Sequence, residues 1–134
     1  VAIKAMDAVG IAEFAHKPLY SLSGGMRQNA YIAMALAQDT DYILLDEPTT
    51  YLDIAHQLEL MRLLKQLSDN GKGVVTVMHD LPLAFDFSDK LIVMSNGKII
   101  AYGTPSEICE SHIVEDIFGV KIKQVQKGKY LYEY

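Results

Sequence analysis

The chain has 134 residues, with 12 Lys and Arg against 17 Asp and Glu, a net charge of −5 with His neutral. That length allows one domain at most, and the acidic balance argues against a protein built to neutralise a nucleic-acid backbone, which takes clustered Lys and Arg. Apolar residues make up 50% of the chain and mean hydropathy is +0.11, high for a small domain, so part of the surface is expected to meet a partner.

In chain order, Val1-Ala2-Ile3-Lys4 has neither an initiator Met nor the basic-then-apolar layout of a signal peptide, and it reads as a cut end. Met6, Val9, Ile11 and Phe14 fall at helical intervals, so a short helix or helix tail is expected over 5–16, stopping before Lys17-Pro18. Ser21-Leu22-Ser23-Gly24-Gly25 feeds a helix over Met26 to Gln38 with Ser23 as its cap. The longest clean apolar run, Tyr31 to Ala37, is far short of the ~18 residues of a membrane span. Asp39-Thr40-Asp41 is a turn, and Tyr42-Ile43-Leu44-Leu45 reads as a strand buried on both faces.

Ile54, Leu58, Met61, Leu64 and Leu67 form one helical stripe from Ile54 to Asn70, with Gly71 as C-cap. Val74 to Met78 reads as a second buried strand, followed by His79-Asp80 and a short helix from Pro82 to Phe87. Strand, helix, strand in that order implies a right-handed parallel crossover. Leu91–Ser95 and Lys98–Tyr102, joined by Asn96-Gly97, carry the signal of a hairpin with a type I′ turn. Thr104-Pro105-Ser106-Glu107 opens another helix with proline first and Glu third. Cys109 is the one cysteine, without a disulfide partner in the chain, and points to a reduced, cytosolic setting. Val120, Ile122 and Val125, then Tyr130, Leu131 and Tyr132 after Gly128, suggest a terminal hairpin.

Four short features could carry chemistry. Asp46-Glu47 is delivered by an apolar strand to the end where open α/β sheets bind ligands. A solvated turn accounts for such a pair; so does a functional one, with Asp46 on a magnesium ion, directly or through water, and Glu47 polarising an attacking water. Ser23-Gly24-Gly25 at a helix start is either an ordinary cap or an anion site, since glycines permit close approach and the first N–H groups lack partners. His79, at a strand end, is either structural or a sensor of a phosphate oxygen. Asp53 suits the N-cap of the helix from Ile54, compatibly with a functional role. His16, His56 and His112 read as structural. The order of Ser-Gly-Gly, Asp-Glu, Asp53 and His79 is more specific than any of its parts.

That order resembles the ATP-binding subunit of ABC transporters. Leu22-Ser23-Gly24-Gly25-Met26-Arg27-Gln28 is similar to the family's signature motif, Tyr42 to Glu47 to Walker B with its catalytic glutamate, Tyr51-Leu52-Asp53 to the D-loop, and His79 to the switch histidine. The stretches 32–40 and 46–57, the latter ending Asp53-Ile54-Ala55-His56-Gln57, resemble the importer ATPases of iron-siderophore and cobalamin uptake, as does the tail 114–120. Met26 stands where the family often has Gln or Glu, and Asn29 where Arg is common.

The resemblance implies an α/β fold, the C-terminal half of a P-loop NTPase-like nucleotide-binding domain: the end of a helical subdomain over 1–38, a parallel βαβ core over 39–110 and a C-terminal extension over 111–134 with β-hairpins. It implies ATP and magnesium as cofactors, bound between two head-to-tail ATPase subunits. Ser23, Gly24, Gly25, Gln28 and Asp53 would contact ATP across that dimer, Asp46 would hold magnesium through water, and Glu47 and His79 would be catalytic. Transmembrane permease subunits are the implied partners, with no nucleic acid, at the cytoplasmic face of the membrane.

A phosphate-cradling loop needs Gly-x-x-x-x-Gly-Lys-Ser/Thr, and none of Gly71-Lys72-Gly73, Gly97-Lys98-Ile99 and Gly128-Lys129-Tyr130 supplies it. The 134 residues alone are therefore expected to be inactive. Two alternatives are a fragment of a non-transport ABC ATPase, against which the acidic charge counts, and a non-catalytic interaction module.

Overall fold

The computed structural model describes residues 1–126 and 128–133. They divide into two compact units, one over Val1–Met78 and one from His79 onward.

In the first unit, α1 (Ala2–Ala8) is shorter than the apolar spacing predicts. Gly10 adopts φ +69°; its N–H donates to Asp7 O at 3.0 Å and that of Ile11 to Met6 O at 2.9 Å. This is a Schellman ending, in which a left-handed glycine closes the helix and turns the next apolar residue inward. Ile11 is accordingly buried, and Ala12–Phe14 continue as a 3-10 turn. Helix α2 (Gly24–Ala37) starts where expected, Ser23 Oγ accepting from the Met26 N–H. Ala5, Ile11, Leu22, Ala30 and Ala33 form the shared core of α1 and α2. Asn29 donates from Nδ2 to Val9 O at 2.9 Å and so ties α2 to the end of α1.

Strand β1 (Tyr42–Asp46), helix α3 (Ile54–Asp69) and strand β2 (Gly73–Val77) make the expected parallel βαβ unit, with Tyr42 beside Gly73 and Asp46 beside Val77. Lys72 Nζ braces its entry by donating to Asp39 Oδ1 and Thr40 O, both at 2.9 Å. The strands are not buried on both faces, contrary to their apolar composition. Tyr42 and Leu44 are 71% and 73% exposed, and Val75 and Val77 are also open. The sheet has two strands; α3 packs on it, and side chains alternate across a pleat, so the uncovered face keeps its apolar residues in solvent. The α3 stripe is centred on Leu60, Met61 and Leu64, while Ile54 is exposed.

The second unit opens with α4 (Leu81–Phe87), capped by Asp80 Oδ1, which accepts from the Leu83 N–H. Strands β3 (Leu91–Ser95) and β4 (Lys98–Gly103) form the expected hairpin. Asn96 and Gly97 have φ of +49° and +74°, the two left-handed residues of a type I′ turn. Helix α5 (Pro105–Glu110) has a complete capping box, with Thr104 Oγ1 accepting from the Glu107 N–H and Glu107 Oε2 from the Thr104 N–H. Helix α6 (Ile113–Phe118) is an element the sequence pattern did not indicate. Strands β5 (Lys121–Gln126) and β6 (Lys129–Glu133) form the terminal hairpin. Phe85, Val93, Ile108, Val114 and Tyr130 make the core of this unit. Asp86 docks the hairpin, its Oδ1 accepting from the Tyr130 N–H at 2.7 Å and its Oδ2 from Lys129 Nζ at 3.3 Å.

Candidate functional site

The start of α2 presents the first feature. Met26 N–H is taken by Ser23 Oγ at 3.3 Å and Arg27 N–H by Ser23 O at 2.9 Å. Gly24 and Gly25 occupy the first two helical positions, where no preceding turn supplies an acceptor for their N–H groups. Ser23 spends one lone pair on the cap and keeps its O–H to donate. Ser23 and Gly24 are exposed, so a hydroxyl and backbone amides are offered at the positive end of a helix dipole, a setting for an anion.

The second feature is the loop between β1 and α3. Asp46 ends β1 and is exposed, Glu47 is half-buried with φ +46°, and Pro48 is fully buried. The Glu47 N–H donates to Val77 O at 3.0 Å, which extends the β1–β2 pairing one residue past the strand end. Thr50 Oγ1 donates to Glu47 Oε2 at 3.2 Å and so orients that carboxylate. Tyr51 is also left-handed, at φ +68°. Asp53 caps α3, its Oδ1 accepting from the His56 N–H at 3.0 Å.

His56, read from the sequence as structural, has Nδ1 2.8 Å from both Asp53 carboxylate oxygens. Hydrogen bonds from the backbone and ring of His56 hold the Asp53 carboxyl below its usual range, and the Asp53 carboxylate raises His56 in turn. Spacing carried a signal here, since a residue three positions after an N-cap lies within reach of it.

The two features meet. A Cβ at Gly25 would stand 3.3 Å from both Leu52 Cδ2 and Tyr51 O, so the helix start and the loop are in close contact. Gln28 Nε2 donates to Pro48 O at 3.4 Å, which gives that side chain a partner on the loop of its own chain. Between α1, the start of α2, the loop and α3 lies an open cleft of about 980 Å³ whose walls include Ser23, Gly24, Gly25, Asp53, His56 and Glu59. Ser23, Gly24, Gly25, Gln28 and Asp53 are therefore neighbours, with Asp46 and Glu47 at the far end of the same loop. His79 is exposed and begins the second unit, just before the α4 cap.

Among the described residues, no three His, Cys, Asp or Glu side chains converge to form a metal cage. Magnesium takes one or two protein carboxylates and completes its octahedron with water and phosphate oxygens. The Asp46–Glu47 strand end suits that cation. No helix of the described residues is long and apolar enough to cross a membrane.

A parallel βαβ unit ending in adjacent carboxylates, with a Ser-Gly-Gly helix start against the following loop, is an α/β arrangement whose exposed donors have the chemistry of an anion site. The chain belongs to the ABC transporter ATP-binding family, whose profile matches residues 1–50. It is 48% identical over 115 residues to the petrobactin import ATP-binding protein FpuD of Bacillus anthracis, covering 85% of this chain and 42% of that protein. It is 47% identical over 119 residues to the ferric enterobactin transport ATP-binding protein FepC of Escherichia coli K12, covering 88% and 44%. It thus spans less than half the length of either relative. A solved structure described as an inward-facing metal-chelate type ABC transporter matches with a TM-score of 0.82 at 28% identity, over 99% of this chain and 56% of that one. A dimeric bacterial ABC transporter cassette matches with a TM-score of 0.72 at 33% identity, over 78% and 45%. The mixed α/β fold is that of part of an ABC cassette.

Proposed function

We propose that this chain forms the C-terminal part of the ATP-hydrolysing subunit of an ABC importer, serving iron-siderophore or related metal-chelate uptake. The observation that carries the reading is the contact of the Ser23-Gly24-Gly25 helix start with the loop that runs from Glu47 to Asp53. Similarity to petrobactin and ferric enterobactin ATP-binding proteins supports the substrate class. The partners are a second ATPase subunit in a head-to-tail dimer and a transmembrane permease, with the ATPase peripheral at the cytoplasmic face.

In this reading Ser23 Oγ–H and the Gly24 and Gly25 N–H groups donate to the γ-phosphate of ATP held mainly by the second subunit. Donors already aimed at developing charge lower the barrier without reorganising. Asp46 would hold magnesium through water, and that ion would supply neutralisation of charge on the phosphate oxygens. Glu47 accepts a hydrogen bond from the attacking water and takes its proton, with Thr50 fixing the carboxylate. Asp53 carries contacts across the dimer while capping α3, and His79 donates to the γ-phosphate from its own subunit. Gln28 supports the signature side through Pro48 O.

The test is phosphate release by the polypeptide at its natural length. Glu47→Gln keeps the size of the side chain and removes the base, so turnover should fall by about 10²–10⁴-fold with nucleotide affinity little changed. Unchanged turnover would overturn the assignment. The 134 residues by themselves should release no phosphate from ATP, because they contain no Gly-x-x-x-x-Gly-Lys-Ser/Thr loop.

A further inference from the structure

The Glu47–Asp53 loop is bent in a way its backbone does not favour. Glu47 and Tyr51 are both left-handed without being glycine, at φ +46° and +68°, and residues in that region persist when their surroundings over-determine them. Two backbone turns contribute: the Thr50 N–H donates to Glu47 O and the Leu52 N–H to Thr49 O, both at 3.2 Å. They leave Leu52 O to be satisfied. The amide that helix geometry would bring to it, the His56 N–H, is taken by the Asp53 carboxylate.

Gln57 fills that place. Its side-chain Nε2 donates to Leu52 O at 3.1 Å and to Thr49 O at 3.3 Å. Both partners are carbonyl oxygens, so only the NH₂ end of the amide can face them. Gln57 is half-buried, and its own N–H is fixed on Asp53 O at 2.9 Å. The residue therefore reaches back from α3 over the cap and pins the two carbonyls that flank Thr50 and Tyr51.

We infer that Gln57 is a positioning residue for hydrolysis, holding Thr49 and Leu52 so that Thr50 stands where its hydroxyl orients Glu47. The functional half of this inference rests on the catalytic reading of Glu47 given above; the structural half does not. The Gln57 amide donates to the Thr49 and Leu52 carbonyls, so its effect on Glu47 passes through Thr50. Glutamate at 57 would set a carboxylate against two carbonyl oxygens, and methionine would keep the length and helix preference while removing the donor.

The test uses the polypeptide at its natural length, with Gln57→Glu and Gln57→Met, methionine being the variant that protects the fold. Hydrogen exchange read by mass spectrometry should show residues 47–53 exchanging about tenfold faster in both, while residues 73–77 of β2 change by less than about twofold. Steady-state hydrolysis should lose about tenfold in kcat with the KM for ATP within about twofold, the split expected when ground-state binding is spared. Unchanged exchange at 47–53, or equal acceleration in β2, would overturn the clamp. A kcat that stays at the parent value despite faster exchange would overturn its role in hydrolysis. If the parent protein itself hydrolyses no ATP, the proposed activity fails, and the exchange measurement still decides whether Gln57 holds the loop.

Discussion

Gly24 and Gly25 are adjacent, and the structure expects opposite responses when each becomes alanine. Neither has a positive φ, so the methyl group is judged by space and by helix preference. At Gly24 the added Cβ would find Tyr51 Cβ at 3.7 Å, ordinary contact. Alanine is favoured over glycine by up to about 1 kcal/mol inside a helix and by less in a first turn. Gly24→Ala should therefore leave stability unchanged or slightly raised. At Gly25 the same methyl would meet Leu52 Cδ2 and Tyr51 O at 3.3 Å. A leucine methyl can rotate away, but the Tyr51 carbonyl belongs to a backbone already in the left-handed region. Overpacking of this kind costs about 1–3 kcal/mol, which exceeds the helix gain. Gly25→Ala should melt below Gly24→Ala by several degrees, at about 2–4 °C per kcal/mol for a domain of 150–250 residues. With the phosphate contact proposed above, both should also lose turnover, Gly24→Ala because its added methyl would obstruct that approach. Thermal unfolding and phosphate release on the two variants at natural length separate the effects. Gly25→Ala melting at or above Gly24→Ala would show that the helix start and the loop are not in hard contact.

Two further outcomes follow from side-chain partners. His56 should titrate above its ordinary 6.5 because the Asp53 carboxylate accepts from its ring, with Glu59 adding to the rise. The stability this gives is complete below 6.5 and is lost as pH rises through the raised folded value. Asp53, held below its ordinary 3.8, contributes above 3.8 and loses that contribution as pH falls through the depressed value. NMR titration of the His56 ring should show a midpoint that Asp53→Asn lowers toward the ordinary value, and an unmoved midpoint would refute the pairing. In the second unit, Asp86→Ala removes the acceptor of the Tyr130 N–H, a 2.7 Å bond to a side chain that is 14% exposed. Such a loss costs about 2 kcal/mol; chemical denaturation showing under about 0.5 kcal/mol would mean that the hairpin is held by its apolar contacts alone.

Much of this chain is legible locally. The Ser23, Asp53 and Thr104 caps and the Asn96-Gly97 turn each join residues within four positions, so spacing suffices to find them. The order of Ser-Gly-Gly, Asp-Glu and Asp likewise stands in the residues themselves. The early stop of α1 was missed because Met6, Val9, Ile11 and Phe14 keep a helical interval across Gly10, and periodicity does not register a single left-handed residue. Helix α6 is six residues long and begins after a left-handed His112, too short for a periodic signal.

Side-chain chemistry and local backbone preference are properties of short stretches, and the sequence by itself determined them: which groups can donate, which can accept, and where helices are capped. Contacts between residues 25 and 52, or 28 and 48, depend on how separate elements pack, and only the tertiary structure decided them. The same holds for β1 and β2. Their apolar residues suit burial on both faces, but burial requires a second layer, and composition cannot say whether one lies against each face. Gln57 joins the two levels: its identity supplies a long amide, and the return of the loop over α3 gives that amide two carbonyls to hold.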